Sequence, residues 1–182
     1  GFEKTSLGIF KNLALLHSIT LPVGINHIIK DISKICSLNP EESENISNKI
    51  DFSFQNNEEL FDGNGYLRNI YFNKSNYKKI SQSLILNIAR ARLDEIFEMI
   101  QKQIIVMGLN PTHGTNLFIV GGGSNLSNLE KYCSNFFGSN VKKLSKNNHE
   151  VKYDGNFFSC LGALKIIKDG WETEAIPEPV DK

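Results

Sequence analysis

A short apolar stretch, Leu117-Phe118-Ile119-Val120, runs directly into Gly121-Gly122-Gly123. Helix-patterned sequence follows, with Leu126, Leu129, Cys133, Phe136 and Phe137 as its inward residues. A strand passing through three glycines into a helix lets a backbone approach a flat or anionic ligand closely, at the positive end of a helix. A dinucleotide fingerprint needs glycine at the sixth position and an acid about 20 residues on. Leu126 holds that sixth position, and the stretch around Val141 offers no acid. A P-loop ends in Gly-Lys-Ser/Thr, and Gly123-Ser124-Asn125 lacks the lysine. Two readings stay open from these residues: tight strand-to-helix packing, or contact with the base or sugar of a nucleotide.

The rest of the chain builds around that unit. Residues 5–10 and 13–21 carry strand rhythm and are joined at Lys11-Asn12, so a hairpin is expected. Ile25, Ile28, Ile29, Ile32 and Ile35 then recur at helical spacing. Asn39-Pro40-Glu41-Glu42 starts a second helix, expected to reach Ile50, with a cap, a first-turn proline and acids at the positive dipole end. Residues 51–74 change character: aromatic stretches flank Asp62-Gly63-Asn64-Gly65, and these turn pairs predict small antiparallel strands in an insertion. A long helix, capped by Ser75 and stopped by Gly108 and Pro111, should bury Ile85, Ala89, Leu93, Ile96, Ile100, Ile104 and Met107. A strand near Val141 and a closing helix over residues 157–168 complete an α/β order, and residues 170–182 form an acidic tail.

Charge narrows the function. The 182 residues hold 20 basic and 20 acidic side chains, a net charge of zero, which argues against a general nucleic-acid binder. Cys36, Cys133 and Cys160 are widely spaced among apolar neighbours and are expected to be reduced core thiols. No apolar run nears the roughly 20 residues of a membrane span, and no signal peptide opens the chain, so a soluble intracellular protein is expected. The chain begins at Gly1, already in strand rhythm, and is expected to be a piece of a longer protein.

Few residues suggest chemistry by spacing alone. His17, His27, His113 and His149 form no metal-ligating pair. His27 and Asp31, one turn apart, suit a helix-face hydrogen bond. Arg90/Asp94 and Arg92/Glu95 suit solvated pairs on the polar face of the long helix, worth a few tenths of a kcal/mol each.

Six motifs in order nevertheless share one resemblance. They are GFEKTSL at 1–7, LPVGINHIIKDI at 21–32, EESE at 41–44, ARLDEIF at 91–97, VGGGS at 120–124 and SCLGA at 159–163. Together they resemble the second half of an actin-fold ATPase, and most closely the FtsA family of bacterial cell division proteins. The resemblance runs from Gly1 to about Lys168. It implies an actin-like, ribonuclease H-like ATPase lobe. Residues 1–39 and 109–170 would form a core subdomain, residues 40–108 a smaller inserted α+β subdomain, and residues 171–182 the tail.

The same resemblance implies a function. ATP with Mg2+ would lie between two lobes, with Gly1 and Thr5 facing the phosphates, Glu44 the ribose, and Gly121, Gly122, Gly123 and Ser124 the adenine and sugar. The inserted subdomain would hold the C-terminal peptide of FtsZ through Arg92 and Glu95, with Lys78 or Lys79 adding a basic contact. Other division proteins and self-association into actin-like filaments are implied, as is a place at the cytoplasmic face of the inner membrane at the septum. Membrane contact would come through a segment outside this chain. The role is that of a scaffold and not an enzyme, with no catalytic residue assigned and at most weak ATPase activity. Three departures bear on the nucleotide: Phe2-Glu3-Lys4 replaces a Gly-Gly-Thr phosphate loop, Ile25 replaces a glycine, and Ser47 replaces a nucleotide-reaching lysine. Weakened nucleotide binding is expected. The alternatives are another actin-like protein, such as a pilus-assembly ATPase or an MreB-like one, or a small-molecule kinase of the same fold.

Overall fold

The computed structural model describes residues 1–12, 14–53, 57–109, 116–138, 140–143 and 158–169. Strands β1 (Thr5–Lys11) and β2 (Ala14–Leu21) pair antiparallel from Thr5↔Leu21 to Lys11↔Ala14, with a bulge between Ile9 and Phe10. Helix α1 (Ile25–Cys36) buries Ile28, Ile29, Ile32 and Cys36. Ile35, expected on that face, is exposed instead, because Cys36 takes the inward position of the last turn.

Helix α2 (Pro40–Ser47) starts as its sequence predicts. Asn39 caps it, accepting from the Glu41 amide at 3.1 Å, and Glu42 reaches back to the Asn39 amide at 2.8 Å. It stops at Ser47, short of the expected Ile50, which is buried just beyond the helix. The insertion forms single antiparallel bridges, Phe61↔Leu67 and Tyr66↔Ser81, where small strands are expected. The Asp62 carboxylate takes the amides of Asn64 and Tyr66, both at 2.9 Å, and pulls the chain into a tight turn with Gly65 at φ +75°.

Helix α3 (Gln82–Val106) is the longest, and Ser81 caps it, accepting from the Leu84 amide at 3.3 Å. Ser75 is not the cap. The segment between is committed elsewhere, since the Ile80 carbonyl accepts from Leu67 at 2.8 Å, and Ser75 bonds to Glu42 and Asn39. Gly108, at φ +71°, follows the end of α3, where the Leu109 amide bonds back to Ile104; Pro111 lies outside the described residues. The expected stripe is buried at Ile85, Ala89, Leu93, Ile96 and Ile104, and Leu86, Ile88 and Phe97 widen it.

Strand β3 (Asn116–Ile119) runs parallel to β4 (Asn140–Lys143), with α4 (Leu129–Phe137) as the crossover, so this end of the chain is a βαβ unit. Phe97 of α3 meets Phe136 and Phe137 of α4 at ring separations of 5.2 and 5.4 Å, and Phe52 meets Tyr132 at 5.5 Å. Helix α5 (Phe158–Asp169) is the last described element, with Leu164, Ile166 and Ile167 exposed. Of the three cysteines, Cys36 and Cys133 are buried, and burial pushes the Cys133 thiol up to about 12. Cys160 is exposed, contrary to expectation: it sits near the start of α5, whose described side chains are largely exposed.

Candidate functional site

The first four residues lie across the start of α1. Gly1 and Phe2 offer their carbonyls to the Ile25 and Asn26 amides at 3.1 and 2.8 Å, satisfying donors that a helix start leaves open. Such an approach requires glycine at position 24. A β-carbon there would stand 2.5 Å from both carbonyl oxygens. Thr5, expected at the phosphates, donates its hydroxyl to the Val23 carbonyl at 2.8 Å. Glu3 turns onto α1, accepting from the Asn26 side chain and standing 3.9 Å from Lys30. His27 accepts from the Gly24 amide at 3.2 Å and so caps its own helix; Asp31, its expected partner, bonds elsewhere.

The triple glycine has a definite geometry. Gly121 sits at φ +89° and ψ 177°, a conformation essentially restricted to glycine. Gly122–Asn125 then forms a 3-10 turn, and α4 begins only at Leu129, so the glycines do not open an α-helix as expected. Gly123 lies against Ile25, where a β-carbon would come within 3.1 Å of the isoleucine. Ser124 is buried and spends its hydroxyl on the Gly121 carbonyl at 2.7 Å, holding the turn from below.

Four separate pieces of sequence line one cavity of about 490 Å³. Phe2, Ile25, Ile29 and Leu126 supply apolar wall; Glu44, Asn48 and Asn125 supply polar groups; Gly122 and Gly123 supply open backbone. Glu44, Gly122 and Gly123, which the resemblance implies at a nucleotide, lie on the wall of this one cavity, whereas Gly1, Thr5, Gly121 and Ser124 are not among its lining residues. Asn48, one helical turn beyond Glu44, was not singled out, although the i, i+4 spacing signals it. Ser47 is buried on the core side of α2, so a side chain reaching this cavity belongs at Asn48 instead. Lys143 reaches in from β4 to bond the Asn125 oxygen at 2.7 Å, which no local motif announces. The cavity and its open glycine backbone fit a base and sugar. Among the described residues, none that lines the cavity supplies a positive charge for phosphates or a set of ligands for Mg2+.

A second cluster lies on α3. Arg92 donates through Nε to Asp31 of α1 at 2.7 Å and through a terminal nitrogen to Glu95. The neighbouring carboxylates and hydrogen bonds, Asp31 foremost, hold its guanidinium above the usual arginine pKa. Arg92 is therefore no simple solvated pair, since both it and Asp31 are about three-quarters buried. Asp94, paired by spacing with Arg90, accepts from the Tyr132 hydroxyl at 2.7 Å. Burial first, then Asp94, raises the Tyr132 pKa. Lys78 is exposed in the segment before α3, and Lys79 lies 5.9 Å from the centre of the Tyr66 ring.

Hairpin, βαβ unit and shared cavity define a lobe of the actin-like ATPase fold. Solved structures agree on that fold: MreB5 of Spiroplasma citri bound to AMPPNP superimposes with a TM-score of 0.63 at 19% identity, over 92% of this chain and 50% of that one. The ethanolamine utilization protein EutJ of Carboxydothermus hydrogenoformans gives 0.51 at 16% identity, over 78% and 40%. Within that class the chain belongs to the FtsA family of cell division proteins, whose family model, cell division protein FtsA, matches residues 1–162. FtsA of Bacillus subtilis is 23% identical over 170 residues, 91% of this chain and 37% of its own length. FtsA of Agrobacterium fabrum is 23% identical over 142 residues, 78% of this chain and 32% of its own. The chain thus spans about a third of the length of these relatives. Among the described residues no helix is long and apolar enough to cross a membrane.

Proposed function

We propose that this chain is the nucleotide-facing second lobe of a cell division scaffold that holds the C-terminal peptide of FtsZ and links the division ring to the inner membrane. One observation carries the nucleotide half of that reading: Glu44 and Gly122–Gly123, far apart in sequence, line a single cavity. In this reading Glu44 faces the ribose, the glycines face the adenine, and Gly1, Thr5, Gly121 and Ser124 build the frame. ATP with Mg2+ is the ligand of the whole site, used for binding and not for turnover. That MreB5 is solved with AMPPNP and with ADP supports a nucleotide in this fold.

Residues 1–39 and 109–170 act as the core subdomain and residues 40–108 as the inserted one, which receives the peptide. Arg92 and Glu95 are its charged contacts, with Lys78 or Lys79 of the same insert adding a basic one. The pose of Arg92 supports this, because a guanidinium already fixed by Asp31 and Glu95 loses little freedom when it meets a carboxylate. Self-association into actin-like filaments and contact with other division proteins complete the role, at the cytoplasmic face of the membrane at the septum. The test is fluorescence anisotropy of a labelled FtsZ C-terminal peptide titrated with this chain and with Arg92→Glu and Glu95→Lys variants. Saturable binding that both variants lose is expected. A folded chain that binds no peptide would overturn the partner assignment.

A further inference from the structure

We propose that an open groove on the insert, beside the 3-10 turn Asn69–Tyr71, docks a short protein segment that carries a carboxylate next to a large apolar side chain. The groove measures about 710 Å³ and is lined by Asp62, Leu67, Arg68, Asn69, Ile70 and Tyr77, so it shares no lining residue with the nucleotide cavity and includes neither Arg92 nor Glu95. Its apolar part is held in place from within the chain. Tyr71 is buried, its amide bonded to the Arg68 carbonyl at 3.1 Å and its hydroxyl donated to the Glu59 carbonyl at 3.2 Å. Ile70, the middle residue of that fixed turn, is left 67% exposed. Tyr77 is 52% exposed, and Phe72 meets its ring edge-on at 5.1 Å. Single exposed apolar residues are ordinary, but here two large ones share one groove.

The polar groups of the groove are unequally committed, and that selects the partner. Asp62 spends its carboxylate on the Asn64 and Tyr66 amides, both at 2.9 Å. Arg68 and Asn69 are exposed, and among the described residues neither side chain has a hydrogen-bond or ionic partner. The groove therefore offers an unspent cation while its acid is occupied. Residues 60–80 as a whole carry four basic side chains and one acidic, within a chain of zero net charge. A guanidinium takes a carboxylate through two parallel N–H bonds. A carboxamide meets a peptide unit with one donor and one acceptor. Ile70 and Tyr77 give an apolar side chain somewhere to bury. These are the parts of an acidic, apolar peptide. A nucleic acid fits less well, because the described lining sets one cation against several phosphates and includes Asp62.

The test is selection of a phage-displayed library of random peptides on this chain, followed by fluorescence anisotropy of the leading peptide, synthesised and labelled. Peptides that join Asp or Glu to Leu, Phe or Trp should be enriched. Arg68→Glu should weaken the leading peptide about tenfold and Ile70→Ala about fivefold, while Arg92→Glu leaves it unchanged. Exchanging the acid of the peptide for lysine should restore binding to the Arg68→Glu variant, which a merely structural effect would not do. Arg68 and Ile70 are exposed, so both variants should keep the circular dichroism of the parent. No enrichment, a leading peptide without an acid, or binding that Arg68→Glu leaves intact would overturn the inference. So would displacement of the peptide by a single-stranded oligonucleotide, which would assign the groove to nucleic acid.

Discussion

Glu42 is only 2% exposed, yet it is an ionised carboxylate. Burial alone would raise its pKa. The Ser75 hydroxyl and the amides of Lys74, Ser75 and Asn39 override that and hold it at about 2, against a usual 4.5. The folded value is depressed, so its stabilisation is complete above about pH 4.5 and is lost as pH falls from there toward 2. The difference corresponds to roughly 3 kcal/mol. Glu42→Gln should therefore lose about that much in urea unfolding at pH 7 and show a flatter acid limb near pH 3. An unchanged acid limb would sink this account. Gly24→Ala should cost about 1–3 kcal/mol, since its new methyl meets two carbonyl oxygens, whereas Gly63→Ala, with nothing within 4 Å, should stay within about 0.5 kcal/mol. Thermal melts of the pair would separate a glycine required by close approach from one that merely occupies a turn.

Elements were legible where local pattern decides them. The stripe on α3, the Asn39-Pro40 start of α2 and the strand before Gly121 all follow from spacing and cap chemistry. Position was lost where a distant partner competes. Ser75 has the look of a helix cap, but Glu42, on another helix, takes its hydroxyl and amide, and the cap falls to Ser81. Ser81→Ala should accordingly cost about 1 kcal/mol by chemical denaturation, the usual worth of an N-cap. Asp31 and Arg92 could not be paired from sequence either, because α1 and α3 meet only in three dimensions. A double-mutant cycle with Asp31→Asn and Arg92→Gln should return a coupling of about 1 kcal/mol, reduced from a fully buried pair by the solvent both side chains still see. Zero coupling would mean the pair does not tie the two helices.

At the scale of the molecule, six ordered motifs made the family readable, and four of them meet at the cavity: residues from the loop before β1, from α1, from α2 and from the turn after β3 form one wall. What sequence could not supply was the direction of individual side chains within that wall, such as Thr5 turned to Val23 or Ser124 to Gly121. Apolar surface stays open at the hairpin tip, where Phe10 is 66% exposed beside Leu15 and Leu16. Leu15→Lys should then reduce concentration-dependent association in sedimentation velocity. The central claim, that this cavity is the nucleoside site, is tested most directly by photolabelling with 8-azidoadenosine followed by mass mapping. Label on the peptides carrying residues 1–4, 44–48 and 122–126, displaced by excess adenosine, is the predicted result. Label concentrated instead on the open groove around Arg68, Ile70 and Tyr77 would contradict it.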